Sequence, residues 1–287
     1  MRQYTVDDVR QYYRETEQDY RLAWSLERNR ALHYGYWDHT TWTFPQALRR
    51  TNEVLSGLGG ILPGDTVLDA GCGVGGSSLW LAKHVGCTVH GITVSPRQVE
   101  LATQFAGSEK LSSVCQFSER NYLDTKFPPQ SFSVVWALES VCHASDKALF
   151  LQEASRLLKP QGRLVMCDFF RETDSPPGLQ GDALRHYRGW ADGWAVNDFA
   201  AIDTFRDSIK RSGLAEVTCL DVTDRVAPLA RRQYVAFFPG YLCRQLMWLF
   251  GQPRLEYQRK NLWAAFHQYK ALRLGAWRYY MVVATKR

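Results

Sequence analysis

Apolar runs and helical stretches alternate through the middle of the chain. The apolar runs cover 66–70, 88–94, 113–117, 132–138 and 163–170. The stretches with helical spacing of apolar residues cover 77–83, 96–107 and 147–158. A strand with both faces buried is continuously apolar, whereas a surface helix buries only one stripe. The pattern therefore predicts a parallel sheet with helices on both faces.

The two ends of the chain follow a different pattern. Residues 5–32 have the spacing of one long helix with an aromatic stripe, and 45–58 predict a second helix. The segment between them, 33–44, is too aromatic for a solvated loop. Further elements are predicted at 202–212, a helix, and at 216–222 and 277–285, two strands. Together these elements predict a seven-stranded mixed sheet with helical cap insertions.

The expected organisation is one core domain with insertions, because 287 residues exceed one domain of ~150 residues and fall short of two. The predicted parts are an N-terminal helical and aromatic cap at 1–60, a ligand-binding core at 61–170, a cap insertion at 171–200, a continuation of the core at 201–222, a helical lid insertion at 223–271 and a final core strand at 272–287.

The composition is that of a folded protein, with 45% hydrophobic and 22% charged residues. No apolar run reaches the ~18 residues of a membrane-spanning helix. The N-terminus lacks the apolar core of a signal peptide, so we expect a cytoplasmic protein. The seven cysteines form no Cys-x-x-Cys pair. This argues against a zinc site and a disulfide framework, and we expect no metal.

Basic residues are concentrated at the C-terminal end. Residues 223–287 contain 12 Lys and Arg against 2 Asp and Glu, whereas the rest of the chain contains 23 against 27. Within this end, 234–250 is almost wholly apolar. Three interpretations of 234–250 remain open. It could be a lid over an apolar substrate, in which case the nearby arginines could bind a diphosphate. It could also be a surface that makes peripheral membrane contact, or a helix buried against the sheet.

A glycine-rich turn follows the first predicted strand, in Val-Leu-Asp-Ala-Gly-Cys-Gly-Val-Gly-Gly at 67–76. Gly71 and Gly73 let the backbone turn tightly and approach a ligand closely. A dinucleotide-binding turn is followed ~20 residues later by an acidic residue, where this chain has Thr93. The acid lies just before the glycines instead, at Asp69. A carboxylate there repels a pyrophosphate and attracts an ammonium group, which favours S-adenosylmethionine over a nicotinamide cofactor.

Five segments carry recognisable motifs. They are His-Tyr-Gly-Tyr-Trp at 33–37, the glycine-rich turn at 67–76, Gly-Ile-Thr-Val-Ser-Pro-Arg-Gln at 91–98, Trp-Ala-Leu-Glu-Ser-Val-Cys-His at 136–143 and Arg-Leu-Leu-Lys-Pro-Gln-Gly-Arg-Leu at 156–164. Together they resemble the class I S-adenosylmethionine-dependent methyltransferases, and more closely the sterol 24-C-methyltransferase and tocopherol methyltransferase group. The resemblance implies a Rossmann-like α/β fold and S-adenosyl-L-methionine as the cofactor.

The resemblance also implies a cofactor role for the matched positions. Asp69, Gly71, Cys72 and Gly73 would hold the methionine part, Thr93 and Gln98 the ribose, and Asn121 and Tyr122 the adenine, while Tyr34 would cover the methionine end and Trp136 would complete the site. Many relatives have Asp where this chain has Asn121, so the acceptor is kept without its charge. Two alternatives stay open: Thr93 as a helix cap and Tyr122 as a core residue.

Two residues after the fourth predicted strand are candidate catalytic groups. Glu139 and His143 are four positions apart, which on a helical turn would place them on one face. A carboxylate there could stabilise positive charge that moves from sulfur to the substrate, and a histidine could accept a proton. The alternatives are cofactor binding or pairing with an arginine for Glu139 and a structural role for His143. Candidate substrate contacts are the aromatic residues Trp37, Tyr187, Trp190 and Trp194, with ordinary lid packing as their alternative.

The predicted function is methyl transfer to a hydrophobic, prenyl- or terpenoid-like small molecule, with carbon favoured as the acceptor atom. O- or N-methylation of an aromatic or alkaloid-type natural product is the alternative. A non-catalytic binding module is a further one. A nucleic-acid methyltransferase is disfavoured, because the region after 132–138 lacks an Asn-Pro-Pro-Tyr-type motif and the basic residues are interleaved with apolar sequence. No nucleic-acid partner is therefore expected, and the oligomeric state is not predicted.

Overall fold

The computed structural model describes residues 3–172, 179–253 and 255–287 of the chain. Within them, seven strands form one sheet in the order β3-β2-β1-β4-β5-β7-β6. The strands are β1 (Thr66–Ala70), β2 (Thr88–Thr93), β3 (Cys115–Glu119), β4 (Phe132–Leu138), β5 (Leu158–Phe170), β6 (Leu214–Asp221) and β7 (Arg278–Lys286). The first five strands are parallel, and β7 lies antiparallel to both β5 and β6. The predicted seven-stranded mixed sheet is confirmed.

The helices surround this sheet. They are α1 (Val6–Ala23), α2 (Leu26–Asn29), α3 (Phe44–Leu58), α4 (Gly76–Trp80), α5 (Pro96–Ser108), α6 (Lys147–Leu157), α7 (Gly181–Gly193), α8 (Ile202–Arg211), α9 (Thr223–Leu249) and α10 (Glu256–Arg273). Side-chain caps fix several of their starts. The Thr5 hydroxyl accepts from the backbone N–H of Asp8 at the start of α1, and Thr43 does the same with Gln46 at α3.

The prediction of one helix over 5–32 is wrong. α1 ends at Ala23, and the short α2 follows it. Ser25 and Arg30 have positive φ angles of 50° and 51°, which no α-helix accommodates. These two left-handed residues redirect the chain. As a result, the segment after α2 runs to the carboxyl ends of the central strands.

Alternate residues of the central strands lie on opposite faces of the sheet. In β4, Val134 and Trp136 belong to one apolar core, and Val135 and Ala137 belong to the other. Helices α3, α7, α9 and α10 contribute to the first core, and α6 and α8 contribute to the second. The sheet is therefore buried on both faces, as the continuously apolar runs predict.

The chain after β5 builds a helical cap with the N-terminal helix. α10 packs against α7, α9 and α1. Part of the predicted cap insertion, 173–178, lies outside the described residues. The predicted lid insertion 223–271 consists of α9 and most of α10. In the part of the chain that the structure describes, no helix is both long enough and apolar enough to cross a membrane.

Candidate active site

The first of two adjoining cavities lies at the carboxyl ends of β1, β2 and β4. Parallel strands bring these ends to one edge of the sheet, where open α/β folds bind their ligands. Asp69 comes from the end of β1, Thr93 from the end of β2, and Glu139 follows β4. The segment after α2 and the start of α1 cover the cavity from outside.

Asp69 is a buried acid on the wall of this cavity. Its Oδ2 accepts a hydrogen bond from the Ser78 hydroxyl at 2.6 Å. Among the described residues it forms no ion pair. Burial therefore raises the pKa of Asp69 to about 7, although the hydrogen bonds from Ser78 act in the opposite direction. A buried carboxyl without a counter-ion, facing a cavity, fits a ligand that brings a positive charge.

The glycine-rich turn forms the floor next to Asp69. Gly71 and Gly73 have φ angles of 89° and 53°, which side chains disfavour. A Cβ at Gly71 would clash with the side chain of Ser140. The backbone N–H groups of Gly71 and Cys72 both donate to the carbonyl of Ile92, at 2.9 Å. The turn is thus held against β2 and leaves room beside Asp69 for a ligand.

Thr93 and Gln98 form a hydrogen-bonded pair on the same wall. The Thr93 hydroxyl donates to Gln98 Oε1 at 2.7 Å, and the N–H of Ser95 donates to Thr93 Oγ1 at 3.2 Å. Both side chains are buried and line the first cavity. The pair leaves the amide N–H groups of Gln98 as donors for a ligand hydroxyl. Thr93 itself also stabilises the turn that leads into α5.

Asn121 and Tyr122 line the far end of the first cavity. Asn121 Oδ1 accepts from the N–H of Leu123 at 2.9 Å, which closes a local turn. The Tyr122 hydroxyl donates to the carbonyl of Ser140 at 2.9 Å. Both residues therefore have structural bonds in addition to their position on the cavity. The acceptor atom that the sequence assigned to a ligand is already used by the turn.

The second cavity lies beside the first and is larger. Its volume is about 340 Å³, which is within the range of small-molecule sites. Side chains of α1, α9 and α10 form most of its wall. Its aromatic and apolar wall residues include Tyr12, Tyr20, Leu22, Trp24, Trp194, Phe237, Met247 and Leu262.

Four residues line both cavities, namely Tyr13, Leu32, Glu139 and His143. We refer to them as the shared wall. Both predicted catalytic residues belong to it. Reacting groups held in the two cavities would therefore meet at Glu139 and His143.

Glu139 lies directly after β4 with a φ angle of 50°, an unusual conformation for a glutamate. Its Oε1 accepts hydrogen bonds from the N–H of Tyr34 at 2.6 Å and from the Tyr279 hydroxyl at 2.5 Å. Burial raises the pKa of Glu139 to about 8, with Asp168 adding to the effect and the two hydrogen bonds opposing it. Among the described residues, Oε2 has no hydrogen-bond partner, so it is available to a ligand.

His143 belongs to the shared wall together with Glu139. Its Nε2 lies 3.2 Å from the Tyr13 hydroxyl. Burial lowers the pKa of His143 to about 4, and Lys147 contributes in the same direction. The imidazole is therefore neutral at neutral pH and can accept a proton. The prediction that one helical turn aligns the two residues is wrong, because Glu139 precedes the 3₁₀ turn Val141–His143. Both residues nevertheless line the two cavities.

The second cavity has a polar end on α1, α9 and α10. Arg244 Nη2 lies 2.8 Å from Asp19 Oδ1, and Asn261 Nδ2 donates to Asp19 Oδ2 at 3.3 Å. The Tyr12 hydroxyl donates to Asn261 Oδ1 at 3.1 Å. Among the described wall residues, Arg244 is the single cation, whereas two residues, Asp19 and Glu139, carry carboxyl groups. This cavity therefore has no excess positive charge.

The predicted aromatic contacts are only partly on the cavities. Trp194 lines the second cavity, and the Tyr34 ring lies there rather than on the first, with its hydroxyl donating to Gln233 at 2.5 Å. Trp136, Trp37, Tyr187 and Trp190 are placed elsewhere. Trp136 and Trp190 are fully buried in the core, Tyr187 donates its hydroxyl proton to Asp198, and Trp37 packs against the same core. These four side chains stabilise the fold and the cap, and the structure does not place them against a ligand.

Sequence reasoning missed most of the second cavity. The missed residues of this cavity are Tyr12, Tyr13, Asp19, Tyr20, Gln233, Arg244, Asn261 and Gln268. Tyr279, which donates to Glu139, was missed as well. The tyrosines of α1 were visible as a helical stripe, which indicates only that one helix face is buried. The polar residues of α9 and α10 are far from the glycine-rich turn in sequence, and no spacing relates them to it.

The raised pKa of Asp69 predicts how stability depends on pH without ligand. An acid whose pKa is higher in the folded than in the unfolded state stabilises the fold at low pH. This contribution is lost as the pH rises from 3.8, the ordinary pKa of an aspartate, to about 7, the pKa of Asp69 in the folded protein. Asp69→Asn removes the effect. The free energy of unfolding of the variant, minus that of the wild type, should therefore be about 2–3 kcal/mol larger at pH 8 than at pH 5. Chemical denaturation at both pH values measures this, and a constant difference would contradict the raised pKa.

Comparisons with known proteins agree with this geometry. A family model described as a methyltransferase domain matches residues 68–166. The 27-O-demethylrifamycin SV methyltransferase of Amycolatopsis mediterranei is 34% identical over 69% of this chain and 71% of its own. The 2-methyl-6-phytyl-1,4-hydroquinone methyltransferase of Synechocystis is 39% identical over 60% of this chain. The matched part covers about half (54%) of the length of that enzyme.

The fold is also shared with a crystal structure. The geranyl diphosphate C-methyltransferase of Streptomyces coelicolor, in complex with Mg²⁺, geranyl diphosphate and S-adenosyl-L-homocysteine, superimposes with a TM-score of 0.73. The match covers 98% of this chain and 97% of that chain at 19% identity. At this identity the likeness concerns the fold, including the cap helices that enclose the second cavity.

Proposed function

Since this chain belongs to the class I S-adenosylmethionine-dependent methyltransferases and methylates a small molecule, we propose that its acceptor is uncharged and hydrophobic, with a prenyl- or terpenoid-like part, and that carbon receives the methyl group. One observation carries this proposal. An aromatic, apolar cavity adjoins the cofactor cavity, and their shared wall presents Glu139 and His143.

The residues of the first cavity fit the cofactor. The carboxyl group of Asp69 would bind the ammonium group of the methionine part, and the open space beside Gly71 would admit the atoms next to that group. Gln98 would donate to the ribose, and Tyr122 would pack beside the adenine. When bound, S-adenosylmethionine supplies an electrophilic methyl group on a sulfonium. Because Glu139 lines the first cavity, a positive charge held there would lower the pKa of its carboxyl group and favour the carboxylate form.

Glu139 and His143 then act on the acceptor. An electron-rich double bond or aromatic ring would form a new bond to the methyl carbon while the sulfur–methyl bond breaks and neutral S-adenosyl-L-homocysteine is left. The positive charge would thereby move to the acceptor. The free Oε2 of Glu139 and the faces of Tyr13 and Tyr20 stabilise this charge. The neutral imidazole of His143 accepts the proton that leaves the methylated carbon. The apolar cap excludes water, which would otherwise capture the cation.

A relative supports an acceptor of this kind. The Synechocystis enzyme is named for a hydroquinone that carries a phytyl chain. Such a molecule combines an electron-rich ring, for the shared wall, with a long apolar chain, for the aromatic cavity. The proposal is tested by incubating the protein with isotope-labelled cofactor and a panel of prenylated hydroquinones, sterols and squalene, with mass spectrometry of the products. C-methylation would be rejected if no product carried the labelled methyl group on carbon.

O-methylation is the second candidate, and a specific observation favours it. His143 is neutral and its Nε2 is next to the Tyr13 hydroxyl, so it can deprotonate an acceptor hydroxyl bound at the shared wall. The relative that this chain matches over 71% of its length is named for a demethylated oxygen of rifamycin. The same incubation distinguishes the two candidates, because an O-linked methyl group and a C-linked one fragment differently.

The charge of the second cavity predicts selectivity against diphosphates. Arg244 is already paired with Asp19, so a diphosphate would enter a cavity without a free cation. The kcat/KM for the uncharged acceptor is expected to be at least about tenfold higher than the kcat/KM for the diphosphate of the same acceptor. Asp19→Asn frees Arg244 and should reduce this ratio. The matched control is Asp224→Asn, outside this cavity. An unchanged ratio in Asp19→Asn would contradict the role of the pair.

A further inference from the structure

The second half of α9 exposes an unusual amount of apolar surface. Between residues 235 and 250, every exposed residue is apolar or aromatic or a cysteine. The exposed fraction is 62% at Leu242, 69% at Leu249 and 85% at Phe250. Arg244 is the single charged residue of this range, and it is paired with Asp19. Soluble domains expose such residues singly, so a continuous apolar surface indicates that something binds there.

This surface surrounds the end of a helix. Residues 246–250, which are the last turn of α9 and the residue after it, are all exposed. Five consecutive residues cover the whole circumference of an α-helix. The apolar end of α9 therefore protrudes from the cap. A protruding apolar end fits a fluid layer that closes around it, whereas a second folded copy would need a matching flat or concave surface.

The apolar surface is continuous with the second cavity. Leu22, Cys243 and Met247 line that cavity and are also exposed to solvent. The exposed fraction of Leu22 is 84%. A hydrophobic molecule could therefore pass from the environment of α9 into the cavity along apolar side chains. A second protein copy on this rim would instead seal the cavity.

A basic groove borders the same surface. Val235 and Pro239 of α9 line it together with Arg231, Arg232 and Arg273. These three arginines are exposed, and the described residues give none of them an ion pair. One acidic residue, Asp224, also lines the groove without an ion pair. Positive charge beside protruding apolar residues is complementary to a lipid surface with anionic headgroups.

We propose that residues 235–250 dock this protein on an anionic membrane surface. The side chains at the end of α9 insert among the lipid chains, and Arg231, Arg232 and Arg273 meet the headgroup phosphates. The hydrophobic acceptor then enters the second cavity directly from the lipid, past Leu22 and Met247. Docking rests on the exposed surface alone, whereas the entry route rests on the proposed function.

Co-sedimentation with vesicles tests the docking, without cofactor or acceptor. The wild type should bind vesicles of phosphatidylcholine and phosphatidylserine. Leu249→Ser/Phe250→Ser should weaken this binding by at least about tenfold. The matched control is Leu62→Ser/Leu149→Ser, whose exposed leucines lie before β1 and on α6. This control should bind as the wild type does.

A second pair of substitutions tests the groove. Arg231→Gln/Arg273→Gln should lower binding to vesicles with phosphatidylserine by about tenfold or more, with little change for phosphatidylcholine alone. No binding of the wild type to either vesicle at low ionic strength would overturn the proposal. So would an equal loss in the leucine control. A dimer without lipid that dissociates in Leu249→Ser/Phe250→Ser would assign the surface to a second copy. None of these measurements depends on methyl transfer, so they fail independently of the proposed function.

Discussion

Asp69→Asn is expected to weaken the binding of S-adenosyl-L-homocysteine by about 10²–10³-fold. The amide keeps the size of the side chain and can still accept from Ser78, so only the negative charge is lost. Asp69 is buried and has no cationic partner of its own among the described residues. The ammonium group of the ligand would therefore lose its counter-ion in a medium of low dielectric constant. Isothermal titration measures the change in affinity.

A smaller ligand serves as the control for this substitution. 5′-Methylthioadenosine has the nucleoside and the sulfur but lacks the amino-acid part. Its affinity should be nearly the same for the wild type and for Asp69→Asn. An equal loss with both ligands would mean that the substitution damages the cavity. An unchanged affinity for S-adenosyl-L-homocysteine would refute the role given to Asp69.

Glu139→Gln is expected to lower kcat by about 10²–10³-fold and to leave the affinity for S-adenosyl-L-homocysteine, which lacks the sulfonium charge, nearly unchanged. Glutamine can still accept hydrogen bonds from Tyr34 and Tyr279 through its amide oxygen. It cannot carry the negative charge that stabilises a cationic acceptor on the shared wall. Single-turnover rates with labelled cofactor measure the effect on chemistry. A normal rate would remove Glu139 from the reaction.

Tyr279→Phe is the matched control for Glu139. The Tyr279 hydroxyl donates to Glu139 and lowers the pKa of the carboxyl group, so its removal raises that pKa further above 8. The rising limb of the pH profile of kcat/KM should then shift to higher pH, with a smaller loss of rate at its plateau. A purely structural role of Glu139 predicts no such shift. The profile thus separates the charge of Glu139 from its contribution to folding.

The arrangement of the core could be predicted because strand burial and turn chemistry are local. The continuously apolar runs around β1, β4 and β5 indicate strands buried on both faces. The glycines after Asp69 mark the place where the chain turns towards a ligand. Such residues are neighbours in sequence, so their geometry follows from short-range rules. The strand order, with β7 between β5 and β6, follows from no local pattern, and the sequence predicts only a mixed sheet of seven strands.

The acceptor cavity could not be predicted in the same way. Its wall joins α1 to α9 and α10, and contacts such as Asp19 with Arg244 link residues more than two hundred positions apart. An aromatic residue in a cap also has the same sequence signature whether it faces a ligand or the core. Trp190 lies in the last turn of α7, and Trp194 directly follows that helix. Trp190 is nevertheless stacked on Phe199 in the core, whereas Trp194 lines the second cavity. Only the packing of whole helices decides between them.

Because Glu139 lies on the shared wall, its proton would link the two cavities under the proposed function. A positive charge in the first cavity favours the carboxylate, so an acceptor that binds the carboxylate better also strengthens binding in the first cavity, by the same factor. When that charge disappears together with the methyl group, the carboxyl group regains a proton and becomes neutral. The methylated product then faces a side chain that no longer attracts it. Proton uptake at this one residue would thus promote release of the product.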